Sequence, residues 1–211
     1  TAKRVEKFYR RDSTVIYPPI VQNPKSEYRN SKQKINSKNG NDTYYLSVGR
    51  LSWAKRVDLI IEVCNKLNLP LKIVGVGNEE DTLKSMAGNT IEFLGSISDA
   101  ELAELYANAK ALIFCALDED FGMVPVEAMA HGTPVIGLAQ GGVRETVLDN
   151  KTGVLFDTPA VESLVNAIKI FEKLSLTTDW EKECRKQAGR FDKKIFQKNI
   201  RAFVEKRMVK N

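Results

Sequence analysis

Short apolar runs alternate along the chain with longer stretches in which apolar residues recur every three or four positions. The runs at 43–48, 71–74, 90–94, 111–116, 134–137 and 153–156 have the length and composition of buried strands. Between the first two, 55–68 gathers Val57, Leu59, Ile60, Ile61, Val63, Cys64 and Leu67 on a broad apolar face and leaves Lys55, Arg56, Asp58, Glu62 and Lys66 polar. Leu102, Leu105 and Tyr106 make the next such stripe. Strands alternating with helices at this spacing require parallel pairing through right-handed crossovers. The expected fold class is therefore α/β, with a Rossmann-like, doubly wound parallel sheet covered on both faces. After residue 158 the pattern is helical only, over 161–174, 178–190 and a basic 193–210 whose Ile195, Phe196, Ile200, Phe203 and Val204 are available to dock elsewhere. The stretch 22–42 is dominated by Asn, Ser, Lys, Gln and Gly, with Tyr28 and Ile35 its large apolar members, and reads as a surface loop. Residues 1–211 are thus expected to form a single domain, a core over 12–157 interrupted by that loop and followed by helices over 158–211.

Composition narrows the chemistry. With 211 residues, 43% hydrophobic and 8% aromatic, the chain can bury a substantial core. No apolar run approaches the roughly 20 residues of a membrane-spanning helix. Cys64, Cys115 and Cys184 are odd in number and far apart, which argues against a disulfide framework or a structural zinc site and for a reducing compartment. His131 is the single histidine, so poly-histidine metal sites and Ser-His-Asp machinery lose support, and no metal is expected. The net charge of +5 is unevenly spread. Residues 1–42 hold ten Lys/Arg against four Asp/Glu, 43–157 nine against sixteen, and 158–211 thirteen against seven, giving +6, −7 and +6. The basic ends could attract an anionic surface, although solvated helix faces are also Lys-rich, and no aromatic-basic motif points to nucleic acid. The chain opens on Thr1 without a Met or a signal-like stretch, so it is expected to be a piece of something longer.

In a doubly wound sheet, ligands bind beyond the carboxyl ends of the strands. After 43–48 comes Gly49-Arg50-Leu51-Ser52-Trp53-Ala54-Lys55, which sets a guanidinium and an ammonium on one strand-to-helix loop. A planar fork and a point charge beside a helix N-terminus suit a diphosphate. Gly75-Val76-Gly77 lacks the third glycine of the dinucleotide fingerprint and the Lys of the phosphate loop, and reads as a tight turn. Gly95-Ser96-Ile97 ends the next strand with small residues whose backbone could meet the edge of a base. The richest stretch runs from Leu117 through Glu119, Asp120, Phe121, Gly122, Met123, Val124, Pro125 and Glu127 to His131 and Gly132. Pro125 suits a first helical turn and Gly132 a C-terminal cap, so Gly122, Met123 and Val124 would present unpaired N–H groups to a phosphate or sugar oxygen. A carboxylate such as Glu119 or Glu127 can accept two hydrogen bonds at once, matching vicinal sugar hydroxyls. His131 at the end of that helix fits a structural role, and Glu145 after Gly141-Gly142 fits first-turn capping.

Val48-Gly49-Arg50-Leu51 with Lys55, the Glu119-x7-Glu127 pair around Phe121-Gly122, and Gly141-Gly142 with Glu145 together resemble the family 4 (group 1) retaining glycosyltransferases, over about residues 5–157. The segment from Glu119 to Glu127 looks most like bacterial mannosyltransferases that build lipopolysaccharide O-antigen. The resemblance implies a GT-B fold of which this chain is the C-terminal, donor-binding half, with an N-terminal acceptor domain elsewhere. Residues 3–15 and Tyr17-Pro18-Pro19 resemble the lead into that half, and 191–207 the last helix, which returns to the other domain. Carried over by position, Arg50 and Lys55 bind the donor diphosphate and stabilise the leaving group. Glu119 and Glu127 hold the donor-sugar and ribose hydroxyls, and Gly49, Phe121, Gly122, Met123, Val124 and Ile97 line the donor. The resemblance implies no cofactor beyond the substrate nucleotide sugar, GDP-mannose, and a glycan or lipid-linked acceptor. The expected setting is cytoplasmic, and the basic ends suggest peripheral contact with the inner face of an anionic membrane. A retaining glycosidase also uses two carboxylates, but Arg50 and Lys55 favour a phosphate leaving group. A sugar-nucleotide epimerase of the same fold and a non-catalytic nucleotide-binding module stay open.

Overall fold

The computed structural model describes residues 2–20 and 43–208. Helix α1 (Ala2–Tyr9) precedes the sheet, whose elements follow as β1 (Tyr45–Val48), α2 (Val57–Leu67), β2 (Leu71–Val74), α3 (Glu80–Met86), β3 (Ile91–Gly95), α4 (Asp99–Asn108) and β4 (Ala111–Phe114). Then come α5 (Met123–Ala130), β5 (Val135–Leu138), α6 (Val143–Thr146), β6 (Gly153–Phe156), α7 (Val161–Leu174), α8 (Trp180–Ala188) and α9 (Lys193–Met208). Every strand pairing is parallel, in the order β3-β2-β1-β4-β5-β6. The chain therefore winds one way from β1 to β3 and the other way from β4 to β6. The loops after β1 and β4 therefore leave the sheet at its topological switch point, where ligands of such folds bind in a crevice.

Apart from edge strand β3, the strands are largely buried on both faces, and successive side chains serve opposite layers. Tyr45, Ile73, Ala111, Ile113 and Ile136 join Ile60, Ile61 and Cys64 of α2 and Leu164, Ile168 and Phe171 of α7 in one layer. Leu46, Val74, Leu112, Phe114 and Val135 join Tyr106 of α4, Val126 and Met129 of α5 and Cys184 and Ala188 of α8 in the other. The helices after residue 158 are thus partly core: α7 and α8 close the two faces. Helix α9 differs, for it buries no residue and leaves Ile195, Ile200, Val204 and Met208 exposed. Helix α4 carries a full capping box between Ser98 and Glu101, a sequence signal that the hydrophobic pattern alone does not use.

The expected elements are present with shifted ends. The helix expected over 55–68 starts at Val57 instead. Arg56 adopts φ 50° and binds Asp58 at 3.1 Å, which separates α2 from a short 3₁₀ turn over Trp53–Lys55. The strand expected over 111–116 stops at Phe114, and the last expected helix is described to Met208. The expected loop over 22–42 lies outside the described residues. The three cysteines are buried, and burial pushes the Cys64 thiol up to about 12, as suits a packing residue.

Gly75 and Gly77 do more than turn the chain. A Cβ on Gly75 would lie 1.9 Å from the Gly49 carbonyl oxygen, and one on Gly77 2.0 Å from that of Leu51. The loop after β2 therefore lies flat against the loop after β1, joined by the hydrogen bond from Leu51 N to Val76 O at 3.0 Å. Gly77→Ala is expected to destabilise the fold by about 1–3 kcal/mol through overpacking. Gly189→Ala, whose Cβ meets nothing within 4 Å, should be neutral or slightly stabilising. Urea unfolding midpoints of the two variants check the contrast.

Candidate active site

The crevice at the sheet reversal collects the charged residues that the loop sequences single out. Leu117 N donates to Ala54 O at 2.8 Å, which ties the chain leaving β4 to the 3₁₀ turn after β1. On that tie the Lys55 ammonium meets Glu119 Oε2 at 2.6 Å, with both side chains partly exposed, and lies 5.7 Å from the centre of the Phe114 ring. The pair presents a cation and a carboxylate side by side. Arg50, two residues beyond β1, is exposed on the same loop.

Glu119 is also held through its backbone. Its carbonyl accepts from Gly142 N at 2.7 Å, and a Cβ on Gly141 would lie 1.9 Å from that oxygen. A Cβ on Gly142 would lie 2.3 Å from Phe121 Cα. Gly141 and Gly142 are thus required where the loop after β5 presses on the Glu119–Phe121 backbone, a role that capping by Glu145 does not capture. Gly122, at φ 83°, turns the chain into α5 as its N-terminal cap residue. Met123 and Val124 follow in the first turn, where amide groups lack intrahelical acceptors.

Glu127 lies on α5 and is half-buried. The Tyr106 hydroxyl donates to its Oε2 at 3.3 Å. Burial pushes its carboxyl above the usual value, while the Tyr106 hydrogen bond and the nearby His131 oppose the rise and Asp99 adds slightly to it. Tyr106 thus has a polar task that its place in a helical stripe does not reveal. His131 stacks on the Tyr106 ring at 5.5 Å, its Nδ1 lies 2.9 Å from Glu127 O, and its own carbonyl accepts from Arg185 at 3.2 Å. It closes the end of α5, as its position leads one to expect.

The remaining site residues are more dispersed. Gly49 follows β1, and Ile97 follows edge strand β3, half-buried against the layer that contains Val74. Phe121 packs between Tyr17 and Phe191, with ring centres 5.5 and 5.4 Å away, so it is fastened to chain segments outside the crevice. No cluster of three or more His, Cys, Asp and Glu able to hold a metal occurs among the described residues.

Residues 29–190 match the family model of glycosyl transferases, group 1. The chain belongs to this family. It is 31% identical over 188 residues to the O-antigen chain mannosyltransferase RfbU of Salmonella typhimurium, covering 81% of this chain and 48% of that protein. It is 29% identical over 149 residues to the sulfoquinovosyl transferase SQD2 of Arabidopsis thaliana, covering 67% and 29%. The sucrose-phosphate synthase structure from Thermosynechococcus elongatus superposes with a TM-score of 0.80 at 23% identity, over 100% of this chain and 58% of that one. This member of the family thus shares the GT-B fold of its structural neighbours, and it spans less than half of the curated relatives it matches. The named relatives transfer different sugars, so family membership leaves the donor open. No helix among the described residues is long and apolar enough to cross a membrane.

The buried carboxylate has a consequence for stability. Because the folded state raises the Glu127 pKa, its favourable contribution is complete below the ordinary 4.5 and is lost as pH rises through the folded value. Glu127→Gln is therefore expected to melt higher than the unaltered chain at pH 7. The gap should close toward pH 4, as thermal melts across that range would record.

Proposed function

We propose that this chain is the donor-binding half of a retaining glycosyltransferase that takes a nucleotide-diphosphate sugar, with GDP-mannose as the assigned donor. The observation that carries the reading is the Lys55–Glu119 pair at the β1/β4 reversal, with Arg50 on the same loop. A diphosphate entering there would meet Arg50 and Lys55, and its second negative charge would draw the ammonium away from Glu119. Glu119 would then be free to accept from the hydroxyls of the donor sugar. In the transfer step the bond between the sugar's anomeric carbon and the diphosphate oxygen breaks, and the acceptor hydroxyl forms the new bond on the same face. The proton of that hydroxyl leaves with the nucleoside diphosphate. Charge grows on the departing oxygen as this happens, and preorganised cations oppose the largest energetic demand of the step.

Glu127 is assigned to the ribose hydroxyls. Its burial costs stability, which a purely structural position would relieve by carrying Gln, and a ligand with two hydroxyl donors supplies a reason to keep the charge. The backbone of Gly122, Met123 and Val124 is assigned to the sugar or phosphate oxygens, and Gly49 and Ile97 to the phosphate and base sides of the same ligand. The acceptor is assigned to a glycan or a lipid-linked glycan at the cytoplasmic face of an anionic membrane. The family resemblance to O-antigen transferases and the basic residues of α9 support it.

Calorimetric titration with GDP, UDP, GDP-mannose and UDP-glucose tests the donor. GDP and GDP-mannose are expected to bind more tightly than the uridine pair. Arg50→Ala and Lys55→Ala should each weaken binding about 10- to 100-fold, the usual cost of one charged hydrogen bond. Binding that both variants leave unchanged would refute the site. Product analysis with the full-length enzyme separates transfer from epimerisation.

A further inference from the structure

The described chain before the sheet and the chain after α8 meet beside the Glu119 loop. Ile20 N donates to Phe191 O at 3.0 Å, and Ile20 pairs with Asp192 in an isolated parallel bridge. This bridge brings Tyr17 to the corner where α8 gives way to α9. The Tyr17 ring lies 5.6 Å from Phe191, edge-on at 80°, and 5.5 Å from Phe121, and Phe121 and Phe191 meet at 5.4 Å and 71°. Three rings on three separated stretches of chain thus form a closed triangle, with edge-to-face contacts on the two sides that meet at Phe191 and a tilted contact between Tyr17 and Phe121. One corner, Phe121, sits between Glu119 and the Gly122 cap of α5.

A second link leaves the same tyrosine. Tyr17 Oη donates to Glu145 Oε2 at 2.6 Å, a charge-assisted hydrogen bond to α6, and this bond is the main reason the phenol resists ionisation. Glu145 stands three residues after Gly142, whose amide donates to the Glu119 carbonyl. Tyr17 therefore holds both loops that converge on Glu119: the loop after β4 through its ring and the loop after β5 through its hydroxyl.

We propose that Tyr17 is a positioning residue for the nucleotide-sugar site, clamping the Glu119–Gly122 loop and the turn of α6 to each other and to the chain entering the domain. This role rests on the donor site argued above but acts through Phe121 and Glu145 rather than on ligand. It gives the segments flanking the domain, α1 with residues 10–20 on one side and α9 on the other, a mechanical hold on the loop that carries Glu119. A shift of those segments moves Tyr17 and Phe191 together, and the triangle passes the shift to Phe121.

The Gly142 amide reports this directly, because its exchange with solvent requires the bond to the Glu119 carbonyl to open. Residue-resolved hydrogen exchange on the full 211-residue chain is compared for the unaltered protein, Tyr17→Phe and Tyr17→Ala. Tyr17→Phe keeps the ring triangle and loses only the bond to Glu145. Gly142 exchange should rise about three- to tenfold in Tyr17→Phe, as befits one lost hydrogen bond, and further in Tyr17→Ala. The amides of Leu112 and Ile136 should stay unchanged in Tyr17→Phe. Gly142 exchange equal to the unaltered chain in both variants overturns the proposal. So does a uniform rise across the strands, which would mark general destabilisation. Should Tyr17→Ala fail to fold, Tyr17→Phe alone decides.

Titration of the same proteins with GDP and UDP adds the functional arm. Affinity for the nucleotide that binds should fall about threefold or more in Tyr17→Phe, with the thermal midpoint held within a few degrees. Unchanged affinity alongside accelerated Gly142 exchange refutes the positioning role. If the unaltered chain binds neither nucleotide, the donor reading fails, while the exchange experiment still decides whether the clamp exists.

Discussion

The site depends on how closely strand-end loops can approach one another. Four glycines let one backbone rest directly on the next: Gly75 on Gly49, Gly77 on Leu51, Gly141 on Glu119 and Gly142 on Phe121. In each case a Cβ would sit 1.9–2.3 Å from backbone atoms that have no rotamer to yield with. Two nested pairs result, one on each side of the sheet reversal, and the Leu117–Ala54 hydrogen bond joins them across it. Arg50, Lys55 and Glu119 thus stand on stiff backbone rather than on free loops. This arrangement suits groups that must meet a charged ligand without first being ordered.

Electrostatics and packing pull against each other in the same few residues. The partly exposed Lys55–Glu119 pair adds little to stability, since solvent screens most of its attraction. Glu127 is half-buried beside the Tyr106 hydroxyl, and on balance that environment favours its neutral form. A fold optimised for stability alone would replace both arrangements. Their presence at the mouth of the sheet, among loops locked by glycine, fits a surface organised around a polar ligand.

Outside the crevice, the described ends of the chain are less completely used. Helices α7 and α8 close the two faces of the sheet, whereas α9 keeps its apolar residues exposed and α1 leaves Phe8 and Tyr9 open. The chain spans less than half of its curated relatives. The aromatic triangle of Tyr17, Phe121 and Phe191 lies between those exposed helices and the Glu119 loop. The two sides of the domain are therefore physically connected.

The sequence alone determined the fold class, the six strands and the loops that leave the carboxyl edge of the sheet. Hydrophobic period and strand-to-helix spacing are local properties, and a parallel sheet converts them into a fixed topology. The motif Glu119-x7-Glu127 and the Arg50/Lys55 loop were legible for the same reason: each lies within one strand-to-helix connection. Local pattern placed the start of α2 two residues early, because the left-handed Arg56 has no hydrophobic signature. Tertiary structure alone decided that Lys55 pairs with Glu119, that Tyr106 serves Glu127, that four glycines separate touching backbones, and that Tyr17 reaches Phe121 and Glu145. These contacts join residues 21 to 128 positions apart. Their geometry follows from the sheet order and the nesting of loops, which no local window of sequence encodes.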